Sequence, residues 1–600
     1  MRALRSALRT FRLMVAISLR ADRWRSIAAL LTASLQMVVL PLRAIGLATI
    51  ANGVVARSMT QALAGAFLVV GLTALNRVMA MASLTVRMRL RENTQLYLDT
   101  YLMGLTAGVP GIAHHELPAY LDRVELLRNG RNELANPFNP ISWTLAALLQ
   151  IVSATLLLAG VDPVLALVPL AGVPAAYLSV RTQQHTSAQL ESQAEDTRIL
   201  RHLFDLATTA GPAKEIRLYG LGDELIDQHR ARFDRLERER VALSGRLLAL
   251  TSLAWLFFAL AYCVALAETV RLAQDGRVTI GAVVLVLGLG VQLSAQLNEL
   301  AFCIAWFVRT HRAVSRLVWF EDYAREAHED ARPSDPAPVP DRLERGIELA
   351  GVRFAYGGDA RPVLDDVDLL LPAGKTIAIV GENGAGKTTL VKLLTRLYEP
   401  TAGRILVDGL DLRRFDIADW RARISAGFQD FGRFELVARE SVGIGDLPES
   451  QSEPRVLTAL GRAAAGTLPT ELPSGLATQL GREFDGGVDL SIGQWQKVAL
   501  GRAMMRAAPL LLVLDEPTAS LDAPTEHSLF ERFAVAARDA AAVSGAITIL
   551  VSHRFSTVRM ADLILVVSGG RISEAGTHDE LVELGGLYAE LYELQASSYR

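Results

Sequence analysis

Residues Gly381–Thr389 read GENGAGKTT, between a short apolar run, TIAIV (Thr376–Val380), and a helical run, LVKLLTRL. Strand, G-x-x-x-x-G-K-T and helix in that order is the context in which a glycine-rich loop cradles phosphates. Gly381, Gly384 and Gly386 let the backbone fold round an anion without side-chain clash. The amides of Glu382, Asn383, Ala385 and the helix start at Thr389 then face that anion. Lys387 is placed to neutralise the β- and γ-phosphates of a nucleotide, and Thr388 to offer its hydroxyl to Mg²⁺.

A second buried-strand pattern, LLLVLDE (Leu510–Glu516), ends in an acidic pair. Asp515 can hold Mg²⁺ directly or through water. Where the backbone turns at the strand end, Glu516 can come within hydrogen-bond reach of an attacking water, as a general base must. Two acids at a strand end are otherwise a solvated edge, and the phosphate loop upstream favours catalysis. Gln429, in GFQDF after the strand-like ISAGF, is a candidate for contact with Mg²⁺ or water. His553 closes ITILVSH and is a candidate partner of the γ-phosphate. Tyr356, 25 residues before the loop, can stack on adenine; without the phosphate loop a core or surface tyrosine would be the plainer reading.

The run DLSIGQWQKVALGRA (Asp489–Ala503) precedes the acidic strand. Ser491, Gly493 and Gln494 at a helix N-terminus form an anion site. It has no lysine or metal carboxylate of its own, so it reads as half of a shared site, completed by another subunit.

The elements that position these residues occupy the second half of a 600-residue chain, long enough for two to four domains. The first half is a different material. Spans of about 20 apolar residues cross a bilayer, and six are expected, near 27–50, 61–83, 139–160, 163–183, 246–271 and 278–308. Odd-to-even connections are short, while the even-to-odd stretches Arg87–Asn136 and Arg181–Gly245 are long and rich in arginine. Arg2, Arg5, Arg9, Arg12, Arg20, Arg23 and Arg25 crowd the N-terminus among Leu4, Leu8, Phe11, Leu13, Val15 and Ile17, as in a helix lying on a membrane surface. By the arginine bias, the N-terminus, the long stretches and the ATP-binding half are cytoplasmic, in a multi-pass protein of the cytoplasmic membrane. Apolar spacing in the long stretches predicts that the spanning helices run on beyond the bilayer. Turns near Gly111–Asp122 and Gly211–Gly222 would then meet the ATP-binding half. Gln292, Gln296 and Glu299 recur at i, i+4 and i+7, one helix face, and are the candidate polar lining of a pathway. Residues 1–325 are thus a membrane domain, 326–342 a linker containing the proline-rich ARPSDPAPVPDR, and 343–600 a nucleotide-binding domain.

Net charge of −3 gives no reason to expect a nucleic-acid partner, and two cysteines, Cys263 and Cys303, in apolar runs argue against a disulfide framework or zinc site. No cleavable signal is expected, because the first apolar run is too long for one.

These pieces, in this order, resemble an ATP-binding cassette, and their fusion behind six spans resembles a type I ABC exporter half-transporter. The matching motifs are Tyr356 (A-loop), GENGAGKTT (Walker A), Gln429 (Q-loop), LSIGQ at Leu490–Gln494 (signature), LLLVLDE (Walker B), SLD at Ser520–Asp522 (D-loop) and His553 (switch). The resemblance implies an α-helical membrane domain followed by an α/β P-loop ATPase domain, with ATP and Mg²⁺ as cofactors. It implies two chains paired head to tail, each ATP between one Walker A and the other signature, with Asp522 at the contact between subunits. Glu516 and His553 are both present, which favours two competent sites and a homodimer; a heterodimer is the alternative. Export of a small molecule, peptide or lipid is the implied activity, with an exporter-shaped importer or a non-transport regulator as alternatives. A soluble repair or translation cassette is excluded by the spans. The signature departs from the family pattern at Ile492, where glycine is usual. A residue with a Cβ resists positive φ. Either the turn is right-handed there or the site is weakened, in which case Ile492→Gly raises ATPase activity.

Overall fold

The computed structural model describes residues 2–598 except 117–119, 122, 125–126, 128–129, 137–138, 358–360, 518–522 and 553. The chain divides into two compact units, Met1–Gly108 with Ala119–Tyr323, and Val109–Pro118 with Ala324–Arg600.

The first unit is helical. Its main elements are α1 (Arg2–Ala21), α2 (Arg23–Val55), α3 (Met59–Gly108), α4 (Asn139–Ala159), α5 (Val173–Ser192), α6 (Ala194–Thr208), α7 (Gly222–Gln274) and α8 (Ile280–Ala331). Helices α3, α7 and α8 have 50, 53 and 52 residues. At 1.5 Å per residue each is roughly 75–80 Å long, far more than the ~30 Å of bilayer hydrocarbon. The expected continuation of spanning helices beyond the bilayer is therefore present. Among the described residues, five helices are long and apolar enough to cross a membrane, within Met59–Gly108, Asn139–Ala159, Pro163–His185, Gly245–Gln274 and Ile280–Ala331. The sixth expected span, 27–50, lies in α2, of which Leu42–Val55 is a shorter apolar stretch. Large apolar side chains along these helices stay exposed, among them Phe67 at 76%, Leu156 at 68% and Val291 at 68%. Such a band suits contact with lipid and not with water, and this is a multi-pass membrane protein.

The arginine-rich N-terminus forms a helix, and part of its apolar face packs on protein, while Phe11 and Leu19 stay exposed. Met14 and Ile17 join a core with Leu98, Val314, Leu317 and Phe320. Arg9 grips Asp322 through two hydrogen bonds of 2.8 and 2.9 Å.

The second unit holds two sheets. Strands β1 (Gly346–Phe354), β2 (Leu364–Pro372), β4 (Ala402–Val407) and β5 (Leu410–Asp411) form an antiparallel sheet in the order β2-β1-β4-β5. The larger sheet runs β10-β9-β3-β8-β7-β6, from β3 (Thr376–Gly381), β6 (Ile424–Gly427), β7 (Leu511–Asp515), β8 (Ile547–Val551), β9 (Leu563–Ser568) and β10 (Arg571–Gly576). It is parallel except for the β9/β10 pair. Strands β7 and β8 are buried at every position, as their largely apolar sequences require. Two cores flank this framework. One joins both sheets and the helix after β3, α9 (Lys387–Leu394). The other lies under the helix after the Ser491 turn, α10 (Ile492–Ala503), through Trp495, Val498 and Leu500.

Met14 is fully buried. Met14→Ala should lower the thermal unfolding midpoint of the detergent-purified protein, reflecting a loss of about 2–5 kcal/mol. An unchanged midpoint would contradict the docking of α1.

Candidate functional site

In an open parallel sheet, ligands gather at the carboxyl ends of the strands, and that is where the chemistry-bearing residues collect. The loop Gly381–Thr388 follows β3, Gln429 and Asp430 follow β6, Asp515 and Glu516 end β7, and Ser552 follows β8. His553, the next residue, and Asp522 lie outside the described residues. The register pairs Gly427 with Leu514 and Asp515 with Val551, so three neighbouring strands deliver their ends to one level.

Two glycines make the loop possible. Gly381 has φ +147°, and a Cβ there would meet the Val567 carbonyl oxygen at 2.2 Å. Gly386 has φ +107° and caps α9; a Cβ would fall 3.0 Å from the Val363 oxygen. Lys387 is buried and donates from Nζ to the carbonyls of Gly381 at 2.8 Å and Glu382 at 2.9 Å. Burial lowers its pKa, while the carboxylates of Glu516 and Asp515 pull the other way. Glu382, Asn383, Gly384 and Thr388 are exposed on the loop, Ala385 is half-buried and Thr389 is buried.

Asp515 is 2% exposed. Burial raises its pKa, a hydrogen bond from Thr388 opposes the rise, and the charges of Glu516 and Asp430 add to it. Its Oδ1 is buried with no hydrogen-bond partner. A buried carboxylate oxygen without a donor is costly, and a divalent cation beside the Thr388 hydroxyl is the group that satisfies it. The donor set therefore fits Mg²⁺, with the exposed Gln429 at the neighbouring strand end. Asp430, which the sequence reading passed over, belongs to the same electrostatic cluster.

Glu516 takes φ +47°, unusual for a residue with a Cβ. Its N–H donates to the Val551 carbonyl at 2.9 Å, which holds the turn. The backbone does turn at the strand end, as the reach of this carboxylate requires. Next to it, the Pro517 carbonyl accepts a 2.7 Å bond from the buried Gln496 amide of α10. Gln496 thus ties the signature helix to the acidic turn, a link that only the fold brings together.

Ser491 caps α10 in a capping box. Its hydroxyl accepts from Gln494 N–H at 3.2 Å, and its own N–H donates to Gln494 Oε1 at 3.0 Å. Gln494 also donates to Glu471 at 3.1 Å. Ile492 is the first residue of the helix and is absent from the positive-φ residues. The turn is right-handed, so the weakening weighed for this position does not arise from backbone strain. Ile492 only presents an apolar side chain, 59% exposed. The Ser491 turn stands on the second core, the Lys387 loop on the first, and each faces out.

Tyr356 is half-buried, with its hydroxyl 3.1 Å from that of Thr389. Its ring meets Phe354 and Tyr398 edge-on at 4.9 and 5.3 Å, and Lys392 Nζ lies 5.6 Å from the centres of both tyrosine rings. Lys392 pairs in turn with Glu116 at 3.4 Å. Glu116 lies in the short turn that continues α3, and the turn is bound to the ATP-site unit. Ile112 N–H donates to the Leu397 carbonyl at 3.2 Å, and Arg421 donates to the carbonyls of Pro110 and Arg396, each at 2.6 Å. His114 is 2% exposed, and burial, with His115 beside it, pushes its pKa down to about 4. The first expected turn therefore does meet the ATP-binding half. The second forms a short helix, Ala213–Leu218, with Leu218 and Tyr219 exposed.

Residues 364–519 match the family described as ABC transporter. The chain is similar to an ATP-dependent lipid A-core flippase of Chromohalobacter salexigens, 40% identical over 43% of this chain and 42% of that protein. It is also similar to one of Ralstonia nicotianae, 40% identical over 44% and 43%. ABC transporter B family member 1 of Arabidopsis thaliana is 37% identical over 44% and 20%. The matched part thus spans less than half the length of each of these relatives. The fold matches a solved bacterial Atm1-family ABC exporter with ATP bound, at a TM-score of 0.70 and 24% identity, over 96% and 98% of the two chains.

Two expectations follow. Ile492→Gly should leave ATPase activity within about twofold or lower it, because glycine costs a helix roughly 1 kcal/mol; a clear rise would restore the idea of a weakened site. His114 is held neutral when the turn is seated, so seating is complete above its ordinary pKa of about 6.5 and weakens as pH falls towards 4. Protection of the 109–116 amides, corrected for intrinsic exchange at each pH, should fall across that window, and less so in His114→Gln; pH-independent protection would refute this.

Proposed function

The chain carries an ATPase domain of the ABC transporter family behind an N-terminal helical domain, and from that premise we propose that it is an ATP-driven membrane transporter. The proposed direction is export by alternating access. The observation that carries the proposal is the division of the nucleotide site. The phosphate loop and the Ser491 turn stand on separate cores of one chain, each exposed. A second copy, paired head to tail, would supply the missing half of each site.

In this reading Tyr356 stacks on adenine, and the loop amides from Gly381 to Thr389 with Lys387 hold the phosphates. Ser491, Gly493 and Gln494 of the partner subunit close over the γ-phosphate. Thr388, Asp515 and Gln429 would hold Mg²⁺, which supplies charge neutralisation at the phosphates when bound. Glu516 accepts a proton from the attacking water, His553 contacts the γ-phosphate, and Asp522 lies at the contact between subunits. Strain at Glu516 is consistent with this role, since strained backbone concentrates where chemistry needs a fixed direction. Gln496 positions the turn through Pro517.

Coupling runs through covalent continuity. The seated turn, Val109–Pro118, is the direct extension of α3, a spanning helix. We assign residues 343–600 to the nucleotide-binding domain, 326–342 to a linker and 1–325 to the membrane domain. The arginine-rich loops favour a cytoplasmic N-terminus and ATPase domain at the cytoplasmic membrane. A homodimer is preferred because the described catalytic carboxylates are intact. Among relatives, the flippases named above act on lipid A-core, but the match does not reach far enough to carry that substrate over.

Glu516→Gln should abolish ATP turnover in reconstituted vesicles, by at least about a thousandfold, while leaving ATP bound in a filter assay. Substantial turnover would sink the assignment of the base.

A further inference from the structure

The segment that carries His553 is held by the last described helix of the chain. From β8 it passes through Ser552 into a short helix, α11 (Phe555–Val558). Ser552 Oγ accepts from the Arg554 N–H at 3.0 Å, bridging residue 553. Phe555 is half-buried and packs edge-on against two rings of α13 (Leu587–Ser598). Tyr588 lies 5.3 Å from it at 65°, and Tyr592 lies 5.5 Å from it at 75°. His578, the first residue of α12 (His578–Leu584), joins the group. Its ring is edge-on to Tyr588 at 5.8 Å and to Tyr592 at 5.2 Å, and its Nδ1 is 2.8 Å from the Tyr588 hydroxyl.

Three features fix this aromatic group. Tyr588 is fully buried, and burial pushes its phenol up to about 12, so the hydroxyl keeps its proton beside His578. Glu574 of β10 anchors the start of α13: its carboxylate oxygens accept from the Leu587 N–H at 2.6 Å and the Tyr588 N–H at 3.1 Å. Tyr588 also shares a core with Val558 of α11 and with Ala378 and Val380 of β3, the strand that runs into the phosphate loop. Covering a core needs only apolar area, whereas edge-to-face ring pairs set direction as well as distance. A side chain that must meet a γ-phosphate needs its backbone held to within about 0.5 Å. Strand β8 fixes one flank of residue 553, and the ring of Phe555 fixes the other.

We propose that Phe555, Tyr588 and Tyr592 form a clasp that positions the segment bearing His553 for ATP hydrolysis, with His578 orienting Tyr588. This rests on the assignment of His553 to the γ-phosphate and adds the residues that position it. All four act through residue 553 and are positioning residues. The phosphate loop, Gly381–Thr389 with Lys387, does not include the clasp. Loosening the clasp therefore slows hydrolysis and leaves the hold on ATP in place.

The test uses full-length protein reconstituted in vesicles, with kcat and KM for ATP measured for Phe555→Leu, Phe555→Tyr, Tyr592→Leu and His553→Ala. Phe555→Leu and Tyr592→Leu should each lower kcat about tenfold while KM stays within about twofold, and Phe555→Tyr should keep the normal kcat. Protection of the 554–558 amides, corrected for intrinsic exchange, should fall in both leucine variants and hold in Phe555→Tyr. Tyr592 is only half-buried, so its variant carries the test should Phe555→Leu fail to fold. The inference is overturned if both leucine variants keep the normal kcat while His553→Ala slows hydrolysis. It is also overturned if KM rises in step with the fall in kcat, which marks general damage to the nucleotide site. If His553→Ala itself leaves kcat unchanged, the γ-phosphate assignment fails, and this inference with it.

Discussion

Burial of one carboxylate organises the ATP-binding unit. Asp515 ends a strand that is buried throughout, and it is almost completely shielded from water. A charge in that position is tolerated only beside compensating groups. Lys387 and the Thr388 hydroxyl provide them, and Oδ1 has no hydrogen-bond partner. The demand fixes much around it. Strand β3 lies two places from β7 in the sheet, with β8 between them, so that the phosphate loop and the acid emerge at the same edge. Gly381 and Gly386 must accept positive φ to bring Lys387 inward. Glu516 leaves the strand at once, with φ +47°.

The same edge explains how the unit communicates. The signature helix is bonded through Gln496 to Pro517, immediately after Glu516. On the other flank, the aromatic group of Tyr356 and Tyr398 shares Lys392 with Glu116 in the turn that prolongs α3. Burial and the nearby Glu116 carboxylate hold the Tyr398 phenol well above its ordinary pKa, so this contact stays neutral on the tyrosine side. Tyr356 and the turn that prolongs α3 are therefore neighbours through a single lysine.

Much of this was legible in the sequence because it depends on local pattern. A G-x-x-x-x-G-K-T between strand and helix signals can fold in few ways, and unbroken apolar runs such as LLLVL can be buried on both faces. The reach of Glu516 was legible as a property of strand ends. What escaped depends on contacts between distant segments. Asp430 and Gln496 look like ordinary polar residues until β6 and α10 are set beside β7. Amphipathic spacing at the N-terminus does not say which apolar residues meet protein; Met14 and Ile17 share a core with residues of α3 and α8. Ile492 looked like a defect only if its position required positive φ, and a helix start does not.

The central claim is that each ATP site is built from two copies of the chain. It is tested most directly by mixing two inactive variants, Lys387→Met, which loses the phosphate loop, and Ser491→Arg, which blocks the signature turn. Each alone should be inactive, and co-assembly should restore ATPase activity, because a mixed dimer retains one site with both halves intact. Failure of the mixture to regain activity, or activity in either variant alone, would contradict the account.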